Sequence, residues 1–207
     1  AAVAAKAKSL IDDATGYSDR VMFAQLSLFR EAWDDIIAVL DGRIAVDRPS
    51  EALAWLAFAF ANGGTRPRTA PFFQSLAPEV IALARYARLA GAAEHHRGDL
   101  KAAEHYLRAA IATDPADLRA MLLLASTLMR GNREAEAKNL LREVDDETVQ
   151  GSVEDLMRLA HNHRRAGETE RGLKLGYRLA AAARQNEDVM SSYPGLIFLD
   201  EALPAPI

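Results

Sequence analysis

Apolar residues recur along this chain at helical rather than alternating spacing. Alanine and leucine fill most of these positions and β-branched residues are sparse, a composition typical of helices. Glycine and proline interrupt the pattern, and between Pro78 and Gly167 they divide it into segments of about 13 to 20 residues. Segments of this length joined by tight turns predict short antiparallel helices. The predicted fold class is therefore all-α.

Several predicted helix starts carry a short polar side chain that can accept hydrogen bonds from the free amides of the first turn. Asp99, Asp114, Asn132 and Ser152 each follow or precede a glycine or proline in this way. Asp155 lies three residues after Ser152, as in a capping box. We therefore predict these four residues as N-caps.

A period of 34 residues emerges when the sequence is compared with itself. Small residues form two columns spaced by 34 and 35 residues, one in the first helix of each predicted pair and one in the second: Gly91, Ala125 and Ala160, then Ala103, Ala137 and Gly172. Helices packed about 8 to 10 Å apart leave no room for a long side chain where they cross. The extra residue of the longer interval is predicted in the turn near 145–152.

This pattern resembles the tetratricopeptide repeat, a helix pair that stacks on its neighbours to complete a core. Residues 84–117 match its motif best, at Gly91, Gly98, Asp99, Ala103, Ala110 and Pro115. The copies depart from the motif where Glu94, Leu128 and His163 replace the aromatic residue of the first helix. The resemblance implies a right-handed superhelical stack of antiparallel helix pairs, an α-solenoid.

The chain divides into three predicted parts. Residues 79–187 hold about three repeats, which we place at 84–117, 118–151 and 153–186. Residues 1–78 form a degenerate, repeat-like helical part in which Trp33 opens a helix, residues 50–61 form another, residues 72–76 form a short one and residues 62–71 form an irregular stretch. Residues 188–207 change character after Tyr193-Pro194-Gly195, and Leu196 to Leu199 are apolar. Such a tail caps the last repeat, pairs with another copy or begins a further domain.

The resemblance also implies that the first helix of each pair lines a concave groove. The predicted partner-binding residues are Arg85, Arg88 and His95 in the first copy, Arg119, Leu122, Ser126, Met129 and Arg130 in the second, and Met157, His161 and Arg164 in the third. Lys and Arg minus Asp and Glu give these first helices charges of +2, +2 and +1, whereas the whole chain carries −4. Arginine pairs bidentately with carboxylates, so an acidic partner is expected. A solvated face with charges distributed by chance is the alternative.

The leading functional hypothesis is a non-catalytic scaffold or adaptor that binds a peptide or helix of a partner protein. The chain has no P-loop, no dinucleotide glycine fingerprint, no serine elbow and no paired-histidine zinc helix, so no enzyme, cofactor or metal site is predicted. The alternative is a docking or regulatory arm of a larger enzyme whose catalytic domain lies outside this chain. The start at Ala1 rather than methionine favours a piece of a longer protein.

Other classes of partner are less favoured by the composition. The net charge of −4 argues against nucleic acid, although arginines in the first helices keep it as an alternative. The longest apolar run, 52–61, is about half of a membrane span. Cytoplasm is the default location with periplasm as the alternative, and a homo-oligomer stays open.

Overall fold

The computed structural model describes residues 20, 24, 27, 31–63, 67–144 and 152–183. Every regular element within these ranges is an α-helix, which confirms the predicted all-α class. In chain order, the helices with defined bounds in these ranges are α1 (Trp33–Leu40), α2 (Glu51–Asn62), α3 (Thr69–Ser75), α4 (Pro78–Ile81), α5 (Ala84–Arg97), α6 (Leu100–Thr113), α7 (Leu118–Arg130), α8 (Glu134–Arg142), α9 (Val153–Arg165) and α10 (Thr169–Ala183).

The chain forms two compact units, divided between Pro115 and Ala116. Helices α1 to α6 belong to the first unit and α7 to α10 to the second. The division falls between the predicted copies at 84–117 and 118–151. The predicted limits at residues 78 and 187 concern the regularity of the repeat, and they stay predictions.

The core of the first unit is centred on α2. Its apolar sequence is buried on nearly all sides, and Phe60 stacks on Phe72 of α3 with ring centroids 4.5 Å apart. The hydroxyl of Ser50 caps α2 by accepting a hydrogen bond from the amide of Leu53 at 3.1 Å. The carbonyl of Ser50 also accepts a 3.1 Å hydrogen bond from the phenol of Tyr86 in α5. These contacts tie the start of α2 to α5.

The pair α5–α6 meets at a predicted small residue. A Cβ built on Gly91 would lie 2.6 Å from Cγ of Leu107 and 3.3 Å from the carbonyl oxygen of Ala103. Gly98 makes the turn with φ 87°, a conformation that side chains disfavour, and Asp99 then caps α6 with a 3.0 Å bond. The glycine at 91 is therefore required by close approach, as the repeat predicted.

The pairs α7–α8 and α9–α10 of the second unit close in the same way. Ala125 and Ala137 are fully buried. A Cβ on Gly172 would lie 2.6 Å from the carbonyl oxygen of Ala160. Both columns of small residues therefore lie at the helix crossings, which confirms this basis of the repeat.

The predicted caps are partly correct. Ser152 caps α9, and the carboxylate of Asp155 reaches back to complete the capping box. Asp114 is wrong, because the chain turns for three more residues and Asp117 caps α7 with a 3.1 Å bond. Asn132 is also wrong, since its left-handed backbone with φ 58° belongs to the turn and α8 has no side-chain cap.

The helices of the degenerate N-terminal part follow the predicted order. Trp33 begins α1, and the helix predicted at 50–61 is α2. The predicted short helix begins earlier than expected, at Thr69, so the irregular stretch is shorter than 62–71. The predicted insertion in the turn near 145–152 falls mainly, and the tail at 188–207 wholly, outside the described residues.

Candidate functional site

The first helices of the second unit, α7 and α9, lie side by side and are joined by polar contacts. Nε of Arg119 donates to both carboxylate oxygens of Asp155 at 3.0 Å. The hydroxyl of Ser126 donates to Oδ1 of Asn162 at 3.2 Å, and Nδ2 of Asn162 donates to the carbonyl of Leu122 at 2.9 Å. Because Asn162 is buried, these hydrogen bonds fix the register of the two helices.

Burial corrects the predicted outward face of α7 at two positions. Leu122 and Met129 are only 3% and 5% exposed. The contact from Asn162 to the carbonyl of Leu122 places α9 against this side of α7, and Met129 lies on the same side two turns further along. Arg130 is exposed, and the side chain of Arg119 is 54% exposed beside Asp155.

The predicted residues of α9 are more open. His161 and Arg164 are exposed, as is the neighbouring Arg165, and Met157 is half-buried. Within the described ranges, no carboxylate lies in ion-pair distance of these three basic side chains. Arg130 and Arg165 are 35 residues apart, so they occupy equivalent positions at the ends of α7 and α9.

The predicted residues of the first unit lie on α5. Arg85 is exposed, and its guanidinium carbon is 5.3 Å from the ring centroid of Tyr86, within the range of a weak cation–π contact. Arg88 and His95 are half-buried, and the ring of His95 meets that of His96 edge-on at 5.9 Å. One groove lined by all three copies involves both units and stays a prediction.

Glu94 occupies a position where the motif has an aromatic residue. It is 6% exposed and accepts hydrogen bonds from Nη1 of Arg97 at 2.8 and 2.9 Å. A carboxylate in this place costs free energy unless it is paired, and Arg97 supplies the pairing. Its departure from the motif was visible in the sequence, but its partner was not.

A second buried acid, Glu168, was missed by sequence reasoning. Its side chain is 7% exposed and lies 3.1 Å from Nδ1 of His163, 2.8 Å from Nε of Arg142 and 3.5 Å from Nη1 of Arg171, with Lys138 at 4.0 Å. Burial alone would raise the pKa of Glu168, but hydrogen bonds from Arg142 and His163 and the nearby guanidinium charges outweigh it and lower the pKa. This cluster connects α8 to the α9–α10 turn, so its role is structural.

Asp155 is the other acid with a shifted pKa. Burial raises the pKa, but hydrogen bonds from Ser152 and Arg119 and the charge of Arg119 lower it more, so the net shift is downward. The charged carboxylate therefore joins the cap of α9 to α7. Sequence reasoning identified its capping role but not the ion pair.

The structure offers little sign of catalytic or membrane chemistry in the part of the chain that it describes. No three His, Asp or Glu side chains in these ranges are placed to hold a metal ion. None of the described helices combines the length and apolar character needed to cross a bilayer.

Comparison with known proteins gives two findings. Residues 95–160 match the family model for the tetratricopeptide repeat. The structure is similar to the crystal structure of a thermophilic tetratricopeptide repeat protein of Thermus thermophilus, with a TM-score of 0.64 and 16% sequence identity over 88% of this chain and the whole of that one. No curated protein matches the sequence. These likenesses confirm the helical-repeat fold class, while the right-handed course of the stack stays a prediction.

Proposed function

Since this chain is a tetratricopeptide repeat superfamily protein, we propose that it is a non-catalytic interaction module whose first helices bind an acidic segment of a partner protein. Repeats of this kind are suited to the task because stacked helix pairs present side chains on a preordered surface, so little entropy is lost on binding. The docking arm of a larger enzyme stays the alternative.

The exposed basic side chains of α7 and α9 are the observation that supports this proposal. Arg130 and Arg165 recur at the same place in successive first helices, and His161 lies one turn before Arg165. Other arginines of this unit, such as Arg119 and Arg142, are engaged by buried acids. Arg165 and His161 have no such acid among the described residues, so their charge is available to a partner.

An acidic partner follows from the chemistry of these side chains. Guanidinium groups pair with carboxylates through two parallel hydrogen bonds, which gives orientation as well as attraction. The surface of α7 and α9 contributes this basic patch in a chain of net charge −4. The patch therefore favours carboxylate-bearing segments over the chain's own acidic surfaces.

Charge reversal of the patch tests the proposal. The wild-type chain and an Arg130→Glu/Arg165→Glu variant are each immobilised and exposed to extract of the source cell, and the captured proteins are quantified by mass spectrometry. The variant is expected to lose an acidic partner that the wild type retains. Binding of the purified partner should weaken as salt rises, because exposed charges are screened.

The matched control is Arg48→Glu/Lys101→Glu, which makes the same change in net charge at exposed positions of the first unit. It is expected to capture the partner as the wild type does. Equal capture by all three proteins, or loss by both variants alike, would overturn the assignment of binding to α7 and α9. Circular dichroism checks that each variant keeps its helices.

A further inference from the structure

The repeat lets one helix face be compared with its counterpart in the next copy. The buried residues Leu122 and Met129 of α7 lie on the side that receives α9. Their counterparts 35 residues later are Met157 and Arg164 of α9. Met157 is half-buried and Arg164 is exposed. We call this pair the terminal face of α9, since it corresponds to a face that the following first helix covers on α7.

The terminal face has an apolar and a basic part. Met157 corresponds to a buried leucine, so it offers apolar area to a covering segment. Arg164 corresponds to a buried methionine, and its aliphatic stem lies where a Cβ of Gly172 would be 2.6 Å from its Cγ. The stem is thus held against α10 while the guanidinium stays exposed. A fitting occupant needs apolar residues beside a carboxylate.

Residues 196–203 of this chain have that composition. Leu196, Leu199 and Leu203 recur at the spacing of one helical stripe. Asp200 and Glu201 lie between them in sequence and supply two carboxylates. The segment is bounded by a glycine and a proline, as a short helix often is. It complements the terminal face in both apolar character and charge.

The connection is long enough to deliver the segment. A short turn at 166–168 joins α9 to α10, so α10 runs back toward the start of α9, where Met157 lies. Residues 184–195 then provide twelve residues, which span up to roughly 40 Å when extended. Helix α9 with its 13 residues is about 20 Å long. Any point along α9 is therefore within reach.

We propose that residues 196–203 dock on the terminal face of α9, with the leucine stripe on Met157 and the carboxylates on Arg164. The segment takes the place that α9 itself takes on α7. Met157 and Arg164 then serve the chain's own tail, whereas Arg130, His161 and Arg165 remain for a partner. This inference rests on the repeat geometry of the second unit and is independent of the proposed partner.

Disulfide trapping tests the docking directly, because the chain contains no cysteine. Met157→Cys is combined in turn with Leu196→Cys, Leu199→Cys and Leu203→Cys in the full chain. A disulfide needs Cα atoms within about 4.4 to 6.8 Å, so at least one pair should close rapidly with oxidised glutathione. Gel mobility under non-reducing conditions separates a closed monomer from a linked dimer.

The control replaces Met157→Cys by Lys174→Cys, an exposed position on α10 two residues from Gly172, which faces α9. The tether alone gives both positions an effective concentration on the order of millimolar, so docking is read as closure at position 157 about tenfold faster than at 174. Equal closure rates overturn the proposal. Predominantly dimeric disulfides also overturn it, because they assign the terminal face to a second copy.

Charge exchange provides a second measurement that does not depend on leucine replacement. In the best-closing pair, Arg164→Glu is expected to slow closure severalfold. Adding Asp200→Lys and Glu201→Lys to that variant should restore the rate, because the attraction is re-formed with its signs reversed. Failure of the exchange to restore the rate, with circular dichroism unchanged, contradicts the assigned carboxylate contact.

Discussion

Gly91 and Leu107 approach so closely that a Cβ on the glycine would lie 2.6 Å from Cγ of the leucine. The same relationship recurs at Gly172, where the obstructing atom is the backbone carbonyl oxygen of Ala160, also at 2.6 Å. In the first case a side chain must move, and in the second a helix must move. The two glycines therefore permit the crossings at different cost.

Gly172→Ala is expected to destabilise the protein more than Gly91→Ala. Overpacking a crossing costs about 1 to 3 kcal/mol, and the better helix propensity of alanine returns about 1 kcal/mol. Leu107 can relax partly, whereas the Ala160 carbonyl belongs to a helix backbone. Urea unfolding of the second unit measures the difference, with the exposed Lys174→Ala as a control near zero. A smaller loss at Gly172 than at Gly91 would contradict this ranking.

The small-residue columns make a further prediction at their alanines. Ala103→Leu and Ala137→Leu should each lower the free energy of unfolding by about 1 to 3 kcal/mol, because both alanines are fully buried at crossings. Ala109→Leu adds the same volume at an exposed position of α6 and should change stability by less than about 0.5 kcal/mol. Thermal unfolding followed by circular dichroism compares the three variants. Equal melting temperatures would argue against the assigned crossings.

These columns explain why the fold was predictable from the sequence. Small residues at a constant interval report helix crossings directly, since only Gly or Ala fits there. The start of α7 was misplaced because Asp114 and Asp117 are both suitable caps, and local chemistry does not choose between them. The choice depends on how far the chain turns after Pro115, which is a tertiary property.

The candidate site was less predictable for a related physical reason. The outward face was assigned from helical spacing alone, which does not say how wide a stripe the neighbouring helix covers. Leu122 and Met129 fall inside that stripe because α9 packs over them. The partners of Arg119 and Glu168 are 36 and 26 residues away along the chain, the second being Arg142, and no local pattern connects them.

Asn162 is expected to contribute more to stability than Ser126, although the two share a hydrogen bond. Asn162 is 3% exposed and bonds both Ser126 and the carbonyl of Leu122, so Asn162→Ala should cost about 1 to 3 kcal/mol. Ser126→Ala removes one bond at a half-buried position and should cost about 1 kcal/mol or less. Chemical denaturation gives both values. If Ser126→Ala costs as much as Asn162→Ala, the bond to the Leu122 carbonyl is not important.

Acid sensitivity follows from the lowered pKa values of Asp155 and Glu168. A carboxyl whose pKa is lower in the folded than in the unfolded chain binds fewer protons when folded. Its stabilising contribution is complete above the ordinary carboxyl pKa of about 4 and is lost as pH falls through the lower folded value. The free energy of unfolding is therefore expected to fall below about pH 4, after the steady contribution of these two groups at neutral pH.

Glu168→Gln isolates one of the two groups. At pH 7 the variant should be less stable by about 1 to 3 kcal/mol, because Arg142 and His163 lose a charged acceptor. Toward pH 3 the difference should narrow, since protonation removes the same charge from the wild-type carboxylate. Urea unfolding at several pH values between these limits, with the exposed Glu134→Gln as control, measures the convergence. A difference that stays constant across this range would mean that Glu168 acts through its shape rather than its charge, because only the charged form distinguishes it from glutamine.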